Sequence, residues 1–184
     1  MPLQSLVAAR NLLASRTRKT AASDPGSVTV SDPISVGGWL GQAPVGGLSD
    51  ITTSDSNTFQ VGTVPDVLGQ IAGVQVDVSL NGASSGLRLS QLILEANGGS
   101  GATQQVFLWN YTTSKYDLIR AAALTPTGAN RQKVSLPLDL TKYVSGGTLS
   151  FAFRAVGPHR SPKQAVSAFT YKVNFVRLET RPGL

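Results

Sequence analysis

Few side chains in this sequence are of types that do covalent or metal chemistry. Among 184 residues there is no cysteine and one histidine, which excludes thiol catalysis, disulfide frameworks and Cys/His zinc sites. His159 lies in Gly157-Pro158-His159-Arg160-Ser161-Pro162, a stretch that reads as a loop. Asp117 or Asp139 could in principle complete a Ser-His-acid triad around it, but no segment is expected to form the turn that presents a nucleophile. The only glutamates, Glu95 and Glu179, fall at predicted strand ends, and a hydrolytic carboxylate pair would have to be assembled by the fold. No catalytic residue and no cofactor is therefore assigned. Asp50, Asp55 and Asn57 cluster in one turn-rich stretch. They offer oxygens of the kind calcium prefers, without the spacing of a helix-loop-helix calcium loop, and satisfying turn amides is the simpler role for them. Trp109, Tyr111 and Tyr116 are candidates for stacking a ligand such as a sugar, with Trp39 elsewhere in the chain. Core packing is expected to claim most of the aromatics, and of Phe107 and Trp109 one is assigned to the core and the other to the outside.

Composition limits what can position these groups. Charged residues make up only 14% of the chain, while Gly (19) and Pro (10) are frequent, a turn-rich globular balance. No apolar run approaches the roughly 20 residues of a membrane helix, so no membrane partner is expected. The formal net charge is +6, unevenly placed. Residues 1–23 carry Arg10, Arg16, Arg18 and Lys19 with no acid, and Arg88 is the one base between residues 24 and 95. Four arm charges make a weak polyanion binder, so nucleic acid is not an expected partner.

The N-terminus lacks the charge-then-apolar order of an export signal, which points to synthesis in a cytoplasm without a signal peptide, with an extracellular location as the alternative. Leu3, Leu6, Val7, Arg10 and Leu13 instead follow the spacing of one helix face. Residues 1–26 are read as a basic amphipathic arm that needs another surface to hold it. From residue 27 to 184 the pattern has period two. Val74, Val76, Val78 and Leu80 alternate with polar residues, as do Leu149, Phe151, Phe153 and Ala155, and Phe169, Tyr171, Val173 and Phe175. Further strands are expected at Val28–Val30, Ile34–Leu40, Thr58–Val61, Gln104–Trp109, Tyr116–Arg120 and Gln132–Leu138. The run from Leu87 to Leu94 changes phase at Ser90-Gln91, which predicts a β-bulge. Many short strands without crossover helices imply an all-β fold, an antiparallel β-sandwich or jelly roll with a short helical arm.

Particular segments carry a resemblance. Gly46–Asp50, Asp55–Val61, Val106-Phe107-Leu108-Trp109-Asn110-Tyr111-Thr112-Thr113, Tyr116–Ile119 and Gly147–Arg154, closed by a strand like Phe169–Leu178, resemble β-sandwich modules of bacterial surface proteins and phage virion accessory proteins. The resemblance spans roughly residues 46–179 and rests on structural motifs. It implies an adhesive or architectural role. The expected function is a non-enzymatic virion component, a phage decoration, accessory or tail protein. It would form homo-oligomers and bind other virion proteins, with Leu3, Leu6, Val7, Arg10, Leu13, Arg16, Arg18 and Lys19 as the assembly arm. The alternatives are a carbohydrate-binding module that stacks a glycan on Trp109, Tyr111 and Tyr116, and a small coat protein whose arm binds genome.

Overall fold

A computed structural model describes residues 27–67, 69–128, 131–158 and 167–183. The proposed assembly arm and His159 lie outside these described residues. The strands are β1 (Thr29–Ser31), β2 (Pro33–Leu40), β3 (Phe59–Gly62), β4 (Val64–Asp66), β5 (Gly69–Ser79), β6 (Leu87–Asn97), β7 (Thr103–Asn110), β8 (Lys115–Ala123), β9 (Arg131–Ser135), β10 (Val144–Ser145), β11 (Thr148–Val156) and β12 (Thr170–Pro182). One short helix, α1 (Ser49–Thr52), precedes β3. The strands form two antiparallel sheets. One has the order β1-β12-β6-β9, with β3 also on β12; the other runs β2-β5-β11-β7-β8, with β4 on β5 and β10 on β11. The chain is an all-β sandwich.

Alternation fixes what faces the core. From the seven-stranded sheet, Val74, Val76, Val78, Val106, Leu108, Leu149, Phe151 and Phe153 point inward. From the other come Leu92, Leu94, Tyr171, Val173, Val176 and Leu178. Burying these side chains at about 25 cal/mol per Å² of apolar surface is the main force holding the layers together. One polar link crosses the dry interior. The Gln104 side-chain amide on β7 donates to the Tyr171 hydroxyl on β12 at 2.7 Å, and both residues are buried. Burial pushes the Tyr171 hydroxyl pKa far above its ordinary value, so it stays neutral.

The phase change in β6 lies earlier than the sequence suggested. Glu179 pairs with Gln91 and Thr180 with Ser90 in unbroken register, and the irregularity falls where Arg181 and Pro182 pair with Leu89 and Leu87. Arg88 is the extra residue, and slipping it out of the ladder lets Leu87 and Ser90 both face inward. The predicted strand over 132–138 is shorter, ending at Ser135.

Tyr171→Phe should test the crossing link. It keeps the ring and strands the buried Gln104 amide, at an expected cost of about 1–3 kcal/mol. Chemical denaturation with an unchanged slope would read this directly, and unchanged stability would mean that the link contributes nothing.

Candidate functional site

The outward face of the seven-stranded sheet is where the aromatic residues gather. On β7 the buried residues are Gln104, Val106, Leu108 and Asn110, so Gln105, Phe107 and Trp109 all point outward. Phe107 and Trp109 are two residues apart and share a face. Assigning one of them to the core was therefore wrong. On edge strand β8, Tyr116 pairs with Trp109 and Leu118 with Phe107 in continuous register, and the register shifts only beyond Phe107, towards Val106. The rings of Trp109 and Tyr116 meet edge-to-face with centroids 4.9 Å apart. Tyr111 adds a third ring, 6.5 Å from Trp109, and is 38% exposed.

Trp39 joins them from the opposite edge. Three strands lie between β2 and β8, yet the Trp39 ring is 5.3 Å from Tyr116 and 6.0 Å from Phe107. Two features make this reach feasible. The pairing of β2 with β5 slips between Gly38 and Leu40, and such an irregularity re-aims the residue within it. Small residues also clear the path: a Cβ on Gly73 would lie 3.0 Å from the indole, and Ala152 stands opposite Phe107. Five aromatic side chains thus lie across one face, and edge-to-face contacts of this kind are each worth about 0.5–1.5 kcal/mol beyond area burial.

Polar groups occupy the same rows. Asp77 stands opposite Ser35 and Ser150, and both hydroxyls donate to its carboxylate, at 2.7 and 2.6 Å. The Tyr111 hydroxyl is 3.5 Å from Ser150 Oγ. Gln75, Trp109, Tyr111, Tyr116 and Ser150 line an open hollow of about 320 Å³. Burial, and next the negative charge of Asp77, raise the Tyr116 pKa, so its hydroxyl remains a neutral donor and acceptor at physiological pH. At the far end of the face, Arg154 lies over the Phe107 ring at 5.1 Å and donates to Gln105.

The hairpin that carries Trp109, Tyr111 and Tyr116 is held from below. The Asn110 side-chain oxygen accepts the amides of Thr112 and Thr113, an Asx-type turn that explains the Asn-Tyr-Thr-Thr segment. Its amide group donates to Asp117 at 2.9 Å, and the Tyr143 hydroxyl donates to the same oxygen. Those two hydrogen bonds, with Lys142 nearby, lower the Asp117 pKa. Asp117 is thus a support for the hairpin.

Other sequence candidates resolve differently. Asp50 accepts the Gly47 amide. Asp55 accepts the Asn57 amide and the Thr53 hydroxyl. These oxygens serve local turns, and among the described residues no cluster of three or more acidic, histidine or cysteine side chains is placed to hold a metal. Asp139 accepts the Thr141 amide and hydroxyl. Glu95 is buried and bonded to Arg131 and Ser54, whereas Glu179 accepts from Gln91. Glu95 pairs with Phe175, four residues from Glu179 along β12. At about 3.3 Å per residue that is roughly 13 Å, wider than glycosidase carboxylate pairs. One segment, Gly82-Ala83-Ser84-Ser85-Gly86, does fit the spacing of a nucleophile turn. It links the antiparallel strands β5 and β6 with no helix after it, and the Ser84 carbonyl accepts the Leu140 amide, so the strand-to-helix context is missing.

A second hollow, about 440 Å³, lies on the outer face of the five-stranded sheet among Thr52, Ser54, Arg131, Lys133, Phe175 and Arg177. Its one aromatic ring is buried and flanked by two guanidiniums, Arg131 at 5.3 Å and Arg177 at 5.0 Å. Arg131 is paired with Glu95 and Arg177 with Asp32. No ring face is left open there.

No protein-family model matches the chain, and no curated protein matches it. Solved structures similar to it include a family 61 carbohydrate-binding module in complex with β-1,4-galactotriose, at TM-score 0.43 and 9% identity, covering 86% of this chain and 96% of that one. Another is a mutant of a family 29 carbohydrate-binding module, at TM-score 0.43 and 10% identity, covering 86% and 93%. A third, described as a CBM4, has TM-score 0.36 and 14% identity, covering 64% and 87%. The expectation of a phage decoration or tail component is corrected here. The structures just named are carbohydrate-binding modules and not virion components.

Asp117 gives a pH test of the hairpin. Its carboxyl titrates in the folded chain below the ordinary value of 3.8. The ionised form therefore stabilises the fold above that value, and this contribution disappears as pH falls through the lowered one. Stability measured by denaturation should fall more steeply in acid for the native chain than for Asp117→Asn. Identical acid limbs would contradict the assignment.

Proposed function

We propose that this domain binds carbohydrate, without catalysis, through the outer face of the seven-stranded sheet. The observation that carries this reading is the band of half-buried rings, Trp39, Phe107, Trp109 and Tyr116 with Tyr111 at its margin, interleaved with Ser35, Gln75, Asp77 and Ser150. A pyranose ring has apolar C–H faces and a rim of hydroxyls. Stacking its face on an indole buries apolar area, and the flanking carboxylate, amide and hydroxyls take up the rim hydrogen bonds. A protein interface of comparable apolar content would leave those interleaved polar groups to be matched one by one, which a polyhydroxylated ligand does readily.

Rigidity adds to the case. The rings are already braced against one another at 4.9 to 6.5 Å, so little side-chain entropy is lost when a ligand lands on them. The two tryptophans of the chain both belong to this face, which makes intrinsic fluorescence a local reporter.

Titrating a panel of oligosaccharides should quench or shift tryptophan emission for at least one sugar. Trp109→Ala, folded by circular dichroism, should weaken that binding at least about tenfold, the loss of roughly 1.4 kcal/mol of contact. A panel that leaves emission unchanged, or binding that survives Trp109→Ala undiminished, would overturn the reading.

A further inference from the structure

The charge beside the aromatic hollow narrows the class of sugar. Asp77 sits at the rim: Ser150, which lines the hollow, donates to it at 2.6 Å, and Gln75, two residues away on β5, lines the same hollow. Among the described residues no Lys, Arg or His lies within ion-pairing distance of Asp77, whereas Glu95, Asp117 and Asp32 each have a basic partner. Two serine hydroxyls solvate it, yet an ionised carboxylate has about four acceptor positions, so roughly half of its capacity faces outward. Arg154 is a basic residue on this face. It stands opposite Gly73, four residues along β5 from Asp77, or about 13 Å at strand spacing. It is turned to Gln105 and Phe107. The hollow is therefore walled by one indole and two phenol rings and edged by a carboxylate that, among the described residues, has no basic partner.

That combination suits a cation. Ring faces attract an ammonium through their quadrupole, tryptophan most strongly, and the carboxylate supplies both charge and acceptors. It penalises a uronate or a sulfate through like-charge repulsion. Building on the carbohydrate-binding reading, we propose that the face takes glycans of 2-amino sugars, with Asp77 holding the ammonium group beside Trp109 and Tyr116. The formal charge of the whole chain is +6, which repels a polycation at long range. Retention of an amino-sugar oligomer would thus reflect the local site and not bulk attraction.

The test compares three oligomers of equal length and β-1,4 linkage, built from glucosamine, N-acetylglucosamine or glucose, by calorimetry at about pH 6, where a good share of the sugar amines are charged. The native chain should bind the glucosamine oligomer about five- to tenfold more tightly than either neutral one. Asp77→Asn, which keeps the side chain's shape and can still bond both serines, should erase that preference by costing the glucosamine oligomer more affinity than either neutral one. Equal affinities in the native chain, or an equal loss for all three oligomers in Asp77→Asn, would overturn the charge assignment while leaving the aromatic platform standing. Tight glucosamine binding that persists in Trp109→Ala would overturn it too, by detaching the ammonium from the rings. If none of the three binds, nor any other sugar, the platform reading falls and this inference falls with it.

Discussion

The two-residue alternation of β7 is the constraint on which the rest of the molecule depends. Gln104, Val106, Leu108 and Asn110 are buried, so Gln105, Phe107 and Trp109 must be presented outward. A slip of one residue would drive a phenyl and an indole into a core already filled by Phe151 and Phe153. Both ends of the strand are pinned against such a slip. Gln104 is tied across the sandwich to Tyr171, and Asn110 holds the hairpin turn and Asp117. The aromatic face is thus a consequence of how the core is registered.

The strands themselves were legible, because period-two runs such as Val74–Leu80 and Leu149–Ala155 have no other stable use. Trp109, Tyr111 and Tyr116 were readable as candidates since they lie within one hairpin. Trp39 and Phe107 were not. Trp39 reaches the cluster only because the sheet order sets β2 and β8 at opposite edges of a face paved with Gly73 and Ala152, a juxtaposition no local spacing encodes. Phe107 required knowing which phase of β7 is buried. Asp77 left even less signal: one aspartate in an alternating strand, whose serine partners come from two neighbouring strands. The bulge was detected in β6 but misplaced, because Leu87 and Leu89 read as one phase, whereas Arg88 between them is the extra residue. The functional expectation failed for a related reason. Asn-Tyr-Thr-Thr encodes an Asx-type turn, a device open to any hairpin and uninformative about the setting in which a sandwich works.

The two outer faces divide the chemistry. On the five-stranded sheet, Arg131 and Arg177 cover Phe175 and are themselves paired with Glu95 and Asp32. On the seven-stranded sheet the rings support one another and Asp77 is left to serine hydroxyls. Structural economy would favour pairing that carboxylate with a base.

The most direct test uses the two indole N–H signals in a proton–nitrogen NMR spectrum, since Trp39 on β2 and Trp109 on β7 come from strands separated by two others in the sheet and both meet the Tyr116 ring. On titration with a binding oligosaccharide, the account predicts that both indole signals shift with one common dissociation constant, while the Arg131 and Arg177 side-chain signals on the other sheet stay fixed. Shifts confined to the arginine face, with both indoles unmoved, would contradict it.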